Sequence, residues 1–238
     1  MVWQFSSSLI PDNFIDNRKD LLFFMKKKYV LFDLDGTLTD SQDGILNAIE
    51  YALDYYGIEV KDRNTLRPFL GPPLADSMQK YCGFDPDKAF EAVVKFREYY
   101  NTKGLFENRL YPGIERLLQT LQEKGCRLFV ATSKPEQTAQ EILAHFKLDG
   151  YFDYIGGATP DESRVKKEDV VRYVLETAGI PDGREAVMVG DRKHDVIGAR
   201  RNGLESVGVL YGYGDRQELM EAGADYLAET VEEVAYFL

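Results

Sequence analysis

The run Tyr29-Val30-Leu31-Phe32-Asp33-Leu34-Asp35-Gly36-Thr37 decides the fold. Four apolar residues without alternation describe a strand buried on both faces of a parallel sheet. Two aspartates follow at once, and the glycine after them lets the chain turn sharply. In extended backbone, residues i and i+2 point the same way, so Asp33 and Asp35 face one site at the carboxyl end of the strand. Carboxylates so close repel each other, and the pair calls for a metal ion or a proton between them.

Runs of the same kind recur at 127–131 (RLFVA), 186–189 (AVMV) and 206–210 (SVGVL), with a weaker one at 151–155. Amphipathic segments at 113–124, 136–146, 168–178 and 195–201 separate or follow them and read as helices. The alternation predicts an α/β, Rossmann-like, doubly wound parallel sheet. One connection breaks the rhythm. The first strand ends near residue 33 and the next begins near residue 127, whereas a βαβ unit closes in about 30 residues or somewhat more. The excess, 44–106, reads as helices at 45–56, 74–82 and 87–100, with no strand run. Placed just after the first strand, a helical insert sits over the carboxyl edge of the sheet, where ligands bind in this architecture and where a lid belongs. The expected organisation is therefore a core of 25–43 and 107–238 and an α-helical cap of 44–106. Residues 1–24 read either as an appendage ahead of a start at Met25 or as a short helix packed on the domain.

Composition narrows the chemistry. The 238 residues carry 29 Lys and Arg against 40 Asp and Glu, a net charge of −11, which argues against a nucleic-acid binder. Two cysteines exclude a disulfide scaffold and a Cys-rich zinc module. Two histidines exclude a His-rich metal site, which leaves oxygen ligands and points to Mg²⁺. The apolar stretches are too short for a membrane span, and the first 24 residues lack a signal-peptide pattern, so a cytoplasmic protein is expected.

The other strands also end in chemistry. AVMV runs into Gly190-Asp191-Arg192-Lys193-His194-Asp195, and LFVA into Thr132-Ser133-Lys134. In a parallel sheet these ends share one edge, so Asp33, Asp35, Asp191 and Ser133 can converge. Oxygen groups of this kind around Mg²⁺ suit phosphate chemistry.

On DLDGTLTDS (33–41), ATSKP (131–135), RVKKEDV (164–170) and GDRKHDVIGARRNG (190–203), the chain resembles the haloacid dehalogenase-like hydrolases, in particular the phosphoglycolate phosphatase-like branch with an α-helical cap. The likeness runs from about residue 28 to the C-terminus. FLGPPL (69–74) and YGYG (211–214) look like a subgroup of phosphoglycolate phosphatases and 5′-nucleotidases. The resemblance implies a Mg²⁺-dependent phosphatase of a small phosphorylated metabolite, acting as a monomer or homodimer. It makes Asp33 the nucleophile that forms an aspartyl-phosphate and Asp35 the acid and base. It gives the metal to Asp33, the backbone carbonyl of Asp35, Asp191 and Asp195, and a phosphate oxygen to Ser133. The family's phosphate-clamping lysine usually precedes a proline, which is missing here, so Lys166 and Lys167 are both candidates. Lys167, immediately before the helix at 168, stands nearer the N-terminal end that anions prefer.

Lys134 reads as a surface residue, His194 as an exposed loop residue and Arg67 as a solvated helix-cap residue. The aromatic residues of the insert (Tyr51, Tyr55, Tyr56, Phe69, Phe96, Tyr99 and Tyr100) read as the core of a helical bundle. Other activities share parts of the pattern. A phosphosugar mutase or a pyrophosphatase would use the same motifs. A haloacid dehalogenase would not need Asp35, and a receiver domain would lack the long insert.

Overall fold

In the computed structural model, which describes residues 27–161 and 163–238, strand β1 (Tyr29–Phe32) lies inside a six-stranded sheet. It pairs in parallel with β4 (Arg127–Pro135) on one side and β6 (Ala186–Gly190) on the other. The sheet continues through β5 (Tyr154–Ala158) beyond β4, and through β7 (Glu205–Val209) and β8 (Tyr226–Ala228) beyond β6. The order is β5-β4-β1-β6-β7-β8. All adjacent pairs are parallel. The chain moves outward from β1 to β5, then crosses back to β6, so the order reverses between β1 and β6.

Period-two alternation on β1 fills both faces. Val30 and Phe32 join Leu128, Val130, Val187 and Val189 in one cluster, covered by α4 (Ile114–Glu123) and α5 (Glu136–His145). Tyr29 and Leu31 join Phe129, Ala131 and Met188 in another, covered by α6 (Lys167–Thr177) and by Ala199 of α7 (Lys193–Arg201). Side chains buried on both sides explain why the strand reads as a continuous apolar run.

Between β1 and β4 the chain forms α1 (Gln42–Tyr55), a 3₁₀ segment (Arg63–Phe69), α2 (Leu74–Cys82) and α3 (Pro86–Tyr99). Leu46, Ile49, Leu53, Phe69, Met78 and Phe84 pack into an apolar cluster of their own. A two-stranded antiparallel ribbon, β2 (Thr39–Asp40) with β3 (Arg109–Leu110), ties the two chain crossings together. A π-helical turn, Tyr100–Gly104, leads out of α3 toward it.

Several expectations shift. The strand expected at 151–155 is β5, Tyr154–Ala158, because Asp149–Tyr151 forms a 3₁₀ turn and the glycines of YIGGA hide the apolar signature. A Cβ on Gly157 would lie 2.6 Å from the Glu136 Cα, so the start of α5 requires that glycine. The helix expected from residue 195 begins at Lys193, which puts Asp195 in its first turn. Helix α8 (Arg216–Ala222), capped by Asp215, lies between β7 and β8. Tyr51 and Tyr55 are 45% and 64% exposed, so they are not core of the bundle as expected, whereas Phe69 and Tyr100 are buried. The segment 1–24 lies outside the described residues.

Candidate active site

Asp33 extends the β1–β6 ladder by one rung, donating its backbone N–H to the Val189 carbonyl at 2.9 Å. Asp191 directly follows β6. The two aspartates therefore leave adjacent strands where the strand order reverses, the crevice in which doubly wound sheets bind ligands. Asp195, in the first turn of α7, accepts the Arg192 backbone N–H at 3.0 Å through Oδ2, so the helix N-terminus fixes its carboxylate. One carboxylate oxygen each from Asp33, Asp191 and Asp195 lies within 4.8 Å of the others.

Bare backbone walls in Asp191. Gly36 takes φ +84°, a conformation open to glycine, and a Cβ there would stand 2.3 Å from Asp191 Oδ2. A Cβ on Gly212 would meet the Asp191 Cβ at 2.3 Å. The hydrogen bonds Asp191 accepts come from uncharged donors: the Tyr213 N–H at 2.8 Å and the Thr37 hydroxyl at 3.4 Å.

Lys167 opens α6 and is 5% exposed. Its Nζ lies 2.8 Å from Asp33 Oδ1 and 2.9 Å from Asp195 Oδ1, and it donates to the Ala131 carbonyl at 3.0 Å. A Cβ on Gly198 of α7 would stand 2.9 Å from the Lys167 Cγ, so the side chain crosses α7 where that helix has no side chain. Lys166 is exposed. Of the two lysine candidates, only Lys167 reaches the aspartates.

Burial and the charge of Asp195 push the Asp33 carboxyl up to about 6, against the opposing pull of Lys167 and the Thr132 hydroxyl. Burial, then the charges of Asp195 and Asp33, hold Asp191 well above the usual carboxylate range. Burial alone would lower the Lys167 ammonium, but Asp195 and Asp33 outweigh it and raise it. The site therefore carries three carboxylates, with one ammonium bridging Asp33 and Asp195 and none bonded to Asp191. A surplus of buried negative oxygen donors is the environment of a hard divalent cation, and the residues fit one.

Asp35 pairs through Oδ2 with Lys134 Nζ at 2.7 Å. The Lys134 side chain is 8% exposed and is not the surface residue expected. The signal for it in the sequence is its position one residue beyond Ser133 at the end of an apolar run. Ser133 itself is half-buried at the same edge, and its hydroxyl has no hydrogen-bond partner among the described residues. Sequence reasoning also missed Thr37, Thr132 and Tyr213. The Tyr213 hydroxyl accepts the Ser41 N–H at 2.9 Å and donates to Asp40 Oδ1 at 3.3 Å, joining the loop after β7 to β2. His194 is exposed, as expected, and so is Arg67.

The sequence model of the haloacid dehalogenase-like hydrolases matches residues 30–209. A 5′-nucleotidase of Pseudomonas aeruginosa is 44% identical over 80% of this chain and 86% of its own length. Tyrosine-protein kinase PtkA of Mycobacterium tuberculosis is 42% identical over 78% of this chain, which spans 62% of that kinase. A solved structure, a predicted phosphatase from Clostridium acetobutylicum, is 48% identical with a TM-score of 0.84, covering 88% of this chain and 97% of its own. The chain belongs to the haloacid dehalogenase-like hydrolases. It is a phosphatase, and its substrate is a small phosphorylated molecule.

Proposed function

We propose that the protein is a Mg²⁺-dependent phosphatase that hydrolyses a small phosphomonoester through an aspartyl-phosphate on Asp33. Phosphoglycolate and the nucleoside 5′-monophosphates are the preferred substrates. The observation that carries this reading is the Lys167 ammonium lodged between Asp33 and Asp195, with Asp191 inside the same 4.8 Å cluster. Asp33, Asp191, Asp195 and the backbone carbonyl of Asp35 would hold the metal. Bound there, Mg²⁺ offsets the repulsion between a carboxylate and a phosphate dianion.

The chain's residues divide the remaining work. An oxygen of Asp33 attacks phosphorus as the bond to the leaving oxygen breaks, and Asp35 gives that oxygen its proton. Lys167 holds Asp33 in line and turns one of its three N–H donors to a phosphate oxygen, and Ser133 donates to another. In the second step Asp35 takes a proton from water as the water attacks the aspartyl-phosphate, and Asp33 leaves as a free carboxylate.

The helical insert, 44–106, acts as a cap over this edge. Support comes from Arg192 in the metal loop. It donates to the Leu70 carbonyl of FLGPPL and pairs with Glu218 of α8 at 2.8 Å, so insert and core meet beside the aspartates. No helix among the described residues is long and apolar enough to cross a membrane. We assign the enzyme to the cytoplasm, as a monomer or homodimer.

The test is a screen of phosphoglycolate, nucleoside monophosphates, phosphosugars and pyrophosphate, with Mg²⁺ and in EDTA. Mg²⁺-dependent release of phosphate from phosphoglycolate or a nucleoside monophosphate is expected. Isomerisation of a phosphosugar without phosphate release would make the protein a mutase. Selective hydrolysis of pyrophosphate would make it a pyrophosphatase. Full activity in EDTA would overturn the metal assignment.

A further inference from the structure

The carboxyl group of Asp35 is divided between two environments. Its Oδ2 is committed to Lys134 Nζ at 2.7 Å. Its Oδ1 is buried and has no hydrogen-bond partner among the described residues. Lys134 in turn donates to the Tyr100 hydroxyl at 2.7 Å and lies 4.8 Å from the centre of that ring. Tyr100 is 5% exposed and begins the π-helical turn through which the insert returns to the core. Its ring stacks on Phe96 of α3, with centroids 5.1 Å apart and planes 13° from parallel. A continuous contact therefore runs from the insert, through Tyr100 and Lys134, to one oxygen of Asp35.

We propose that Lys134 is a positioning residue for proton transfer. It anchors the Asp35 carboxyl group in the orientation that hands the proton to the leaving oxygen, and Tyr100 anchors Lys134 from the insert. The physical case rests on geometry. A free aspartate side chain rotates about two bonds, and a proton must be delivered along the line of the breaking P–O bond. A buried ammonium with a second fixed partner restricts that freedom: it donates to Oδ2 while Asp35 is protonated and pairs with the full carboxylate once the proton has left. A tyrosine that spans insert and core makes the anchor depend on the seating of the insert. The inference rests on the reading of Asp35 as acid and base.

The experiment measures kcat/KM, which reports the phosphorylation step, for a series from p-nitrophenyl phosphate to phenyl phosphate. The nitrophenolate leaves with little help, whereas phenolate needs its proton. Displacing a catalytic group by about 1 Å costs about a hundredfold. Lys134→Met is therefore expected to lose about a hundredfold on phenyl phosphate and only a few-fold on the nitrophenyl ester. Lys134→Arg should recover part of the loss. Tyr100→Phe, which removes one hydroxyl from the fold, should show the same tilt more weakly. Asp35→Asn runs beside them. If it shows the tilt and the Lys134 and Tyr100 variants lose activity evenly across the series, the positioning role is wrong while Asp35 keeps its own. If Asp35→Asn is itself flat, the acid assignment fails and this inference with it.

Discussion

Lys167 Nζ sits 2.8 Å from Asp33 Oδ1, although the two residues come from a helix start and a strand end far apart in the chain. The contact places a permanent cation against the proposed nucleophile, and the same ammonium reaches Asp195 at 2.9 Å.

Removing that cation should weaken the transition state far more than removing its neighbour. Lys167→Ala is expected to lower kcat about a hundredfold or more, the usual cost of one preorganised donor. Lys166, which is exposed, should tolerate alanine with a change of less than about threefold, since surface contacts of this kind are weak. Steady-state kinetics at saturating Mg²⁺ compare the two. Equal losses would remove Lys167 from its special place.

The turn after the strand is predicted to be intolerant of any side chain. Gly36→Ala puts a Cβ 2.3 Å from Asp191 Oδ2 and forces φ +84° on an L-residue, a conformation costing about 1–2 kcal/mol. Denaturant unfolding should show a loss of at least that size, with Mg²⁺-dependent activity abolished. Wild-type activity in this variant would mean that the Asp191 cradle is slack.

Asp191 should trade stability for metal binding. A carboxyl raised in the folded state stabilises the fold when protonated. That contribution is complete in acid and is lost as pH rises through the folded value. Asp191→Asn removes the charge at every pH, so in EDTA near neutrality the variant should melt higher than wild type. Each kcal/mol corresponds to roughly 2–4 °C for a domain of this size. The rise in melting temperature that Mg²⁺ gives the wild type should vanish. A lower melting temperature in EDTA would contradict the repulsion inferred here.

Metal affinity should depend on pH in a stated direction. Burial raises Asp33 to about 6 and holds Asp191 high as well, whereas Mg²⁺ binds the ionised carboxylates. Binding therefore releases protons, and apparent affinity should fall as pH is lowered through 6. Calorimetric titration in buffers of different ionisation enthalpy would register both effects. Affinity unchanged from pH 5.5 to 7.5 would count against these carboxylates as ligands.

The sheet was legible because its inner strands carry their own signature. YVLF and AVMV are unbroken apolar runs because β1 and β6 are covered on both faces. β8 has three residues at the sheet edge, and β2 and β3 have two each, too few for any period to show. β5 lies away from the expected run because two of its five residues are glycine: Gly157 admits the backbone of Glu136, and Gly156 admits the side chain of Val174. At the site, Asp33, Asp35 and Asp191 could be read from strand ends alone, since a parallel sheet gathers those ends on one edge. Lys134 and Tyr213 could not. Each earns its place through a partner distant in sequence, Tyr100 for one and Ser41 for the other, and no spacing rule encodes such contacts. Lys166 and Lys167 differ by one residue, and only the pitch of α6 decides which turns inward.

In the proposed route the phosphoryl group passes first to Asp33 and then to water. Two in-line displacements restore the configuration at phosphorus, and one inverts it. The direct measurement is the stereochemistry of phosphate released from a phosphomonoester made chiral at phosphorus with oxygen isotopes and sulfur. Net retention is the expected result. Net inversion would show a single attack by water and leave Asp33 as a metal ligand only.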